Sequence, residues 1–193
     1  MFIMSDEIVM DFIQSTRWLE CHLQNNGVEN KLNEQVYEPI RNYALLWNLM
    51  EYSAKEKGLV RESDSDIDIV WQVANNVQPD LDLLKKIFEH FSDRYRHMSG
   101  SINKNFDALW PADRSTEKRK EIISYLCKSD ATPVEMNLVC ASICMRYRHN
   151  LFHGKKEFLS LHSQAALFNI ADIYMESIID SILLLPTKSC GQQ

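Results

Sequence analysis

Turn-forming residues are scarce in this chain, and that scarcity limits its possible folds more than any other feature. Five glycines and five prolines are spread over 193 residues. An all-β chain needs turn chemistry about every 8–12 residues, whereas helices run further between turns. The composition, 45% hydrophobic and 25% charged, is that of a globular chain able to bury a substantial core. Its length suits one domain.

The apolar residues recur at helical spacing through most of the sequence. A first helix is predicted from about Ser5 to Gln24, with Ile8, Phe12, Ile13 and Leu23 among its apolar positions and Asn25-Asn26-Gly27 closing it. A second starts near Asn33, carries Val36, Ile40, Tyr43, Leu46, Trp47 and Met50, and ends at Lys57-Gly58, with the glycine just past the helix. A third leads from the acidic stretch Arg61 to Asp68 as far as Val77. A fourth opens at Pro79, runs through Leu83, Leu84, Ile87, Phe88 and Phe91, and ends near Ser99-Gly100. Between Ser101 and Arg114 there are aromatic residues, including Trp110 before Pro111, without a clear period, which reads as a loop-rich insert. Further helices are predicted at about Ser115 to Lys128, Thr132 to Phe152 and Ser160 to Leu185. For the penultimate one, Asp130 or Thr132 serves as the cap before Pro133. No strand pattern, repeat or linker stands out. The expectation is all-α: a single-domain helical bundle over residues 1–193, with about six to seven helices and a loop-rich insert in the middle.

The net charge of −6 and pI near 5.5 argue against nucleic-acid binding by a broad basic surface. A small cluster of cations can still engage phosphate locally, because charge is felt over about 8 Å at physiological salt. The apolar stretch Ala165 to Leu185 is broken by Asp172, Glu176 and Asp180 at four-residue intervals. That is one polar stripe on an amphipathic helix rather than a membrane span. The opening residues have neither the basic region nor the apolar run of a signal peptide. Five cysteines (Cys21, Cys127, Cys140, Cys144, Cys190) show no framework spacing. Cys140 and Cys144 share a helix face, but no second pair at ligand spacing follows, so they read as buried thiols. A cytoplasmic, reducing setting is expected, with no membrane association and no cofactor.

Chemistry concentrates in the penultimate helix. Met136, Cys140, Ile143, Tyr147 and Leu151 form its apolar stripe. Around and beyond them come Arg146, Arg148, His149, Asn150 and His153, followed by Gly154, Lys155 and Lys156. These are the groups that RNA cleavage without a metal requires. A histidine can take the proton of a 2′-hydroxyl near neutral pH. Arginine can hydrogen-bond the negative charge gathering on the phosphorane oxygens, and an amide such as Asn150 can orient a phosphate or the imidazole. On an ideal helix Arg148 and His153 are ~140° apart, whereas Arg146 and His153 nearly eclipse at ~20°. Arg148 therefore joins His153 only through its long side chain or a frayed last turn, which Gly154 would permit.

The run Arg148-His149-Asn150-Leu151-Phe152-His153 resembles the Arg-x4-His motif of the HEPN superfamily, and its continuation into Gly154-Lys155 is similar to the prokaryotic form of that motif. If the longer Arg-x6-His spacing applies, Arg146 is the matching arginine. His149 departs from the pattern, which has a polar residue such as asparagine there. The likeness covers about Arg146 to Lys156. It implies a helical bundle and a homodimer joining two motifs in one composite active site. The implied activity is metal-independent endoribonuclease cleavage with His153 as base or acid, Arg148 and Arg146 on the phosphorane, Asn150 positioning, and His149, Lys155 and Lys156 holding RNA. Relatives in toxin–antitoxin and phage-defence systems imply an antitoxin or defence-system protein as a partner, and others have lost catalysis and act as RNA- or protein-binding modules.

Three other groups carry polar residues at suggestive spacing. Arg94-Tyr95-Arg96-His97 repeats the tetrapeptide at Arg146, but Ser101 stands where a second histidine would be, so it reads as a surface helix end. Asp64, Asp66 and Asp68 resemble the paired carboxylates of a minimal nucleotidyltransferase, yet the upstream glycine-serine turn is missing. They read as an acidic helix start, where carboxylates suit the N-terminal dipole. Glu51 on the second helix either faces the arginines or is solvated.

Overall fold

The computed structural model describes residues 34–111, 117–152 and 164–186. The helix expected over Ser5 to Gln24, like Cys21 and Cys190, lies outside the described residues. What is described is all-α, with seven helices: α1 (Glu34–Glu56), α2 (Asp66–Asn76), α3 (Leu81–Tyr95), α4 (Lys104–Leu109), α5 (Glu117–Leu126), α6 (Pro133–Phe152) and α7 (Ala165–Leu183). None of the described helices is long and apolar enough to cross a membrane.

Local chemistry sets the ends of these helices. Past α1, Gly58 takes a φ of 66°, its N–H donates to the Lys55 carbonyl (2.8 Å), and the Leu59 N–H donates to that of Ala54 (2.9 Å). This reciprocal pair satisfies carbonyls that a helix end leaves orphaned, and only glycine adopts that backbone without strain. Ser65 caps α2 and Asp80 caps α3, the latter accepting from the Leu83 N–H at 2.8 Å. At the start of α6 the Thr132 hydroxyl accepts from the Glu135 N–H, and the Glu135 carboxylate accepts from the Thr132 N–H at 2.7 Å. That is a capping box, and it singles out Thr132 over Asp130.

Two expectations are corrected. The stretch from Ser101 to Arg114 is not all loop. Asn103 caps the six-residue helix α4 by accepting from the Asn105 and Phe106 N–H groups. In addition, α3 stops at Tyr95 rather than near Gly100. Arg96 pairs with Ile102 in an isolated bridge, and Gly100 turns the chain between them with a φ of 88°.

The core is arranged about α6, which packs against α2, α3, α4 and α5, while α1 and α7 pair along their lengths. Every residue of α6 from Asn137 to Tyr147 is buried. The expected stripe is thus a fully enclosed helix, as a helix surrounded by others should be. On α1, Tyr43, Trp47, Met50 and Ala54 share the buried face. Ring contacts join the layers in sequence: Tyr43 to Phe168 (5.3 Å), Phe168 to Tyr147 (5.9 Å), Tyr147 to Phe91 (6.2 Å), and Tyr95 to Phe106 (6.0 Å). Tyr95 and Tyr147 share a buried hydrogen bond of 2.7 Å between their hydroxyls.

One buried polar group in the centre, Asn137, is fully matched with partners. The Asn137 amide donates to the carbonyls of Ala74 (3.0 Å) and Val77 (2.8 Å) at the end of α2, and its oxygen accepts from the Tyr174 hydroxyl (2.7 Å). Asp172 corrects the expected polar stripe of α7: Glu176 and Asp180 are exposed, but Asp172 is buried. Among the described residues its Oδ1 makes no hydrogen bond, and burial, with Glu176 adding repulsion, pushes its carboxyl up to about 7.

Candidate active site at the end of the central helix

As α6 leaves the core beyond Tyr147, its polar side chains go two ways. Arg146 and Asn150, one turn apart, are each only 5% exposed. Both donate to the same acceptor, the carbonyl of Leu109 at the end of α4: Arg146 through Nε at 3.3 Å and Asn150 through Nδ2 at 3.2 Å. The Arg146 guanidinium also lies over the Trp110 ring, 5.4 Å from its centroid. The two side chains therefore tie α4 to α6 and supply a helix-end carbonyl with donors it would otherwise lack.

Arg148 and His149 turn toward α2 instead, and both are about one-quarter exposed. The Oδ2 of Asp66 accepts from the Arg148 guanidinium, and His149 Nε2 lies 2.8 Å from the same oxygen. The Arg148 guanidinium packs 5.1 Å over the Trp47 ring. The Trp47 indole N–H donates to Glu51 at 2.8 Å, so Glu51 reaches the arginine only through the tryptophan. Asp66 is the first residue of α2, so the acidic start read from the sequence is correct. Its carboxylate has a second role, orienting a guanidinium and an imidazole that come from 82 and 83 residues away. Two residues along, Asp68 accepts from Lys118 at 2.6 Å, and this contact, with that from Ser65, holds its carboxyl below the usual range. Lys118 in turn lies over the Trp71 ring.

Between these groups opens a pocket of about 490 Å³. Ile67, Trp110 and Met145 give it apolar walls, and Asp66, Lys118, Arg146 and His149 bring charge and hydrogen-bonding groups to it. The size lies within the range of small-molecule sites, and an apolar cavity with a few convergent polar groups is what such sites look like.

Of the predicted site residues, the structure brings Arg146 and His149 to one pocket, with Arg148 beside it on Asp66. Asn150 faces Leu109. His153, Lys155 and Lys156 lie outside the described residues, although α6 continues to Phe152, immediately before His153. Sequence reasoning missed Asp66, Lys118 and Trp110 as neighbours of the motif. No local pattern carries that information, because each comes from a different element. Arg94 to His97 does mark a helix end: Arg94 is exposed, and Arg96 donates to the Leu126 carbonyl at 2.9 Å. Cys140 and Cys144 are fully buried thiols, pushed up by burial. Among the described residues, no three histidine, cysteine or acidic side chains gather as they would about a metal ion.

Comparison of the chain with models of known protein families finds no match, and neither characterised proteins nor solved structures give one.

Proposed function

We propose that the chain is a metal-independent endoribonuclease of the HEPN type. The observation that carries this reading is the arrangement of Arg148 and His149 on the Asp66 carboxylate, beside a pocket that Arg146 also lines, on the helix that leads directly into His153. In this reading His153 accepts the proton of the 2′-hydroxyl, whose oxygen attacks the adjacent phosphorus. The bond to the 5′-oxygen breaks, and that oxygen takes up a proton. The products are a 2′,3′-cyclic phosphate and a 5′-hydroxyl. Arg148 supplies hydrogen bonds to the phosphorane, where charge gathers in the transition state. Arg146 shapes the site from within, since its Nε already serves Leu109. His149, oriented by Asp66, and Lys155 and Lys156 hold the RNA backbone. Two copies of the chain form the composite site, and a toxin–antitoxin or phage-defence role, with an antitoxin or other defence protein as partner, follows from the same likeness.

A second reading has an observation in its favour. Arg146 and Asn150 are buried and bonded to a carbonyl, and Arg148 is paired with a carboxylate. Such side chains suit a non-catalytic RNA- or protein-binding module. Incubation of purified protein with total RNA in EDTA separates the two. Cleavage that persists in the chelator and vanishes in His153→Ala supports the ribonuclease. Strict metal dependence, or binding without cleavage at high protein concentration, refutes it.

A further inference from the structure

α1 has apolar side chains on two faces, and only one of them is turned to the core. Leu45, Leu49 and Tyr52 are 68%, 48% and 62% exposed. They share one stripe, roughly 160° around the helix from the buried row Tyr43, Trp47, Met50 and Ala54. Single exposed apolar side chains are ordinary. Three on one stripe, spaced by four and three residues, make the kind of seam through which helices pair.

Charge along the same stripe identifies what pairs with it. Arg41 stands one turn before Leu45 and Glu56 one turn after Tyr52, and both are exposed. Arg41 and Glu56 lie equally far from the point between Asn48 and Leu49, and so do Leu45 and Tyr52. A second α1 laid antiparallel across that point sets Arg41 against the partner's Glu56 and Leu45 against the partner's Tyr52. The two Leu49 side chains then meet at the centre. A parallel pair would instead place arginine on arginine and glutamate on glutamate, which repel. The stripe is therefore complementary to itself about a two-fold axis, as an interface between identical surfaces must be.

We propose that α1 pairs antiparallel with α1 of a second copy of this chain, through Leu45, Leu49 and Tyr52, with Arg41 and Glu56 closing both ends. The pairing rests on this helix alone and holds whether or not the chain cleaves RNA.

Sedimentation equilibrium of the purified full chain over a range of concentrations tests it, with circular dichroism reporting that each variant keeps its helices. The mass should approach twice the chain's 22.6 kDa as concentration rises. Leu49→Glu brings two carboxylates together at the axis and should weaken association by more than about tenfold. Arg41→Glu and Glu56→Arg each set like charges together at both ends, and each should weaken it by about tenfold. The double variant Arg41→Glu/Glu56→Arg should restore association. Within one helix these two positions are ~22 Å apart, so the rescue reports contact between copies. A chain that stays monomeric at every concentration overturns the proposal and leaves the stripe to another occupant. A dimer that Leu49→Glu does not weaken, or charge swaps that the double variant does not repair, overturns it as well.

Discussion

Replacing Asp172 by asparagine should stabilise the protein, and by an amount that grows with pH. The carboxyl is 7% exposed and its Oδ1 has no hydrogen-bond partner among the described residues. Burial, reinforced by Glu176, raises it from the usual 3.8 to about 7. Within this window the unfolded chain has given up the proton and the folded chain retains it. Stability therefore falls as pH rises from about 4, and levels off above about 7. The shift of roughly three units corresponds to about 4 kcal/mol at pH 8, and about 1.6 kcal/mol at pH 5. Asparagine keeps the shape and never ionises. Any cost of its own buried amide is the same at every pH, so the diagnostic quantity is the change in the difference, about 2–3 kcal/mol between pH 5 and pH 8. The buried groups nearest in charge, Tyr43 on α1 and Cys144 on α6, are themselves pushed upward by burial and stay neutral over this range. Urea unfolding followed by tryptophan fluorescence at four pH values measures the effect. A difference between wild type and Asp172→Asn that stays flat from pH 5 to pH 8 would refute the reasoning.

Two further substitutions probe the frame of the site. Asn137→Ala strands the carbonyls of Ala74 and Val77 and the Tyr174 hydroxyl in the core, and should cost about 2–4 kcal/mol in urea unfolding. A loss no larger than that of an exposed control substitution would mean that water reaches these groups. Asp66→Asn keeps the volume but withdraws the charge from Arg148 and His149, which should lower stability by about 1–2 kcal/mol at neutral pH. The loss should persist in high salt, since a half-buried pair is screened less than a surface one, and a loss that disappears in 1 M salt would mark the contact as solvent-exposed.

Much of the helical frame was legible before the structure, because its signals are local. Gly58 after α1, and Thr132 before Pro133 at the start of α6, announce helix ends through backbone geometry and capping that involve only near neighbours. The six residues of α4 span less than two turns, too short for a period to show, and their cap Asn103 looks like any loop asparagine. The spacing of Asp172, Glu176 and Asp180 gave the stripe but not its edge. Which carboxylate is covered depends on how α1 lies across α7. The site divides in the same way. The sequence shows that Arg146, Arg148, His149 and Asn150 lie together on one helix. It does not show that two of them serve a carbonyl on α4 and two a carboxylate on α2, because those partners lie 37 to 83 residues away.

The enclosure of α6 has a consequence for how such a protein can diversify. A helix walled in from Asn137 to Tyr147 cannot roll or slide without breaking the packing of four neighbours at once, so its azimuth is fixed like that of a keyed shaft. The direction in which Arg148, His149 and Asn150 point is settled upstream of them. Exchanges at the half-buried positions of this last turn, Arg148 and His149, therefore alter what the molecule presents without altering where it is presented, and different tips can be mounted on one unchanged axle.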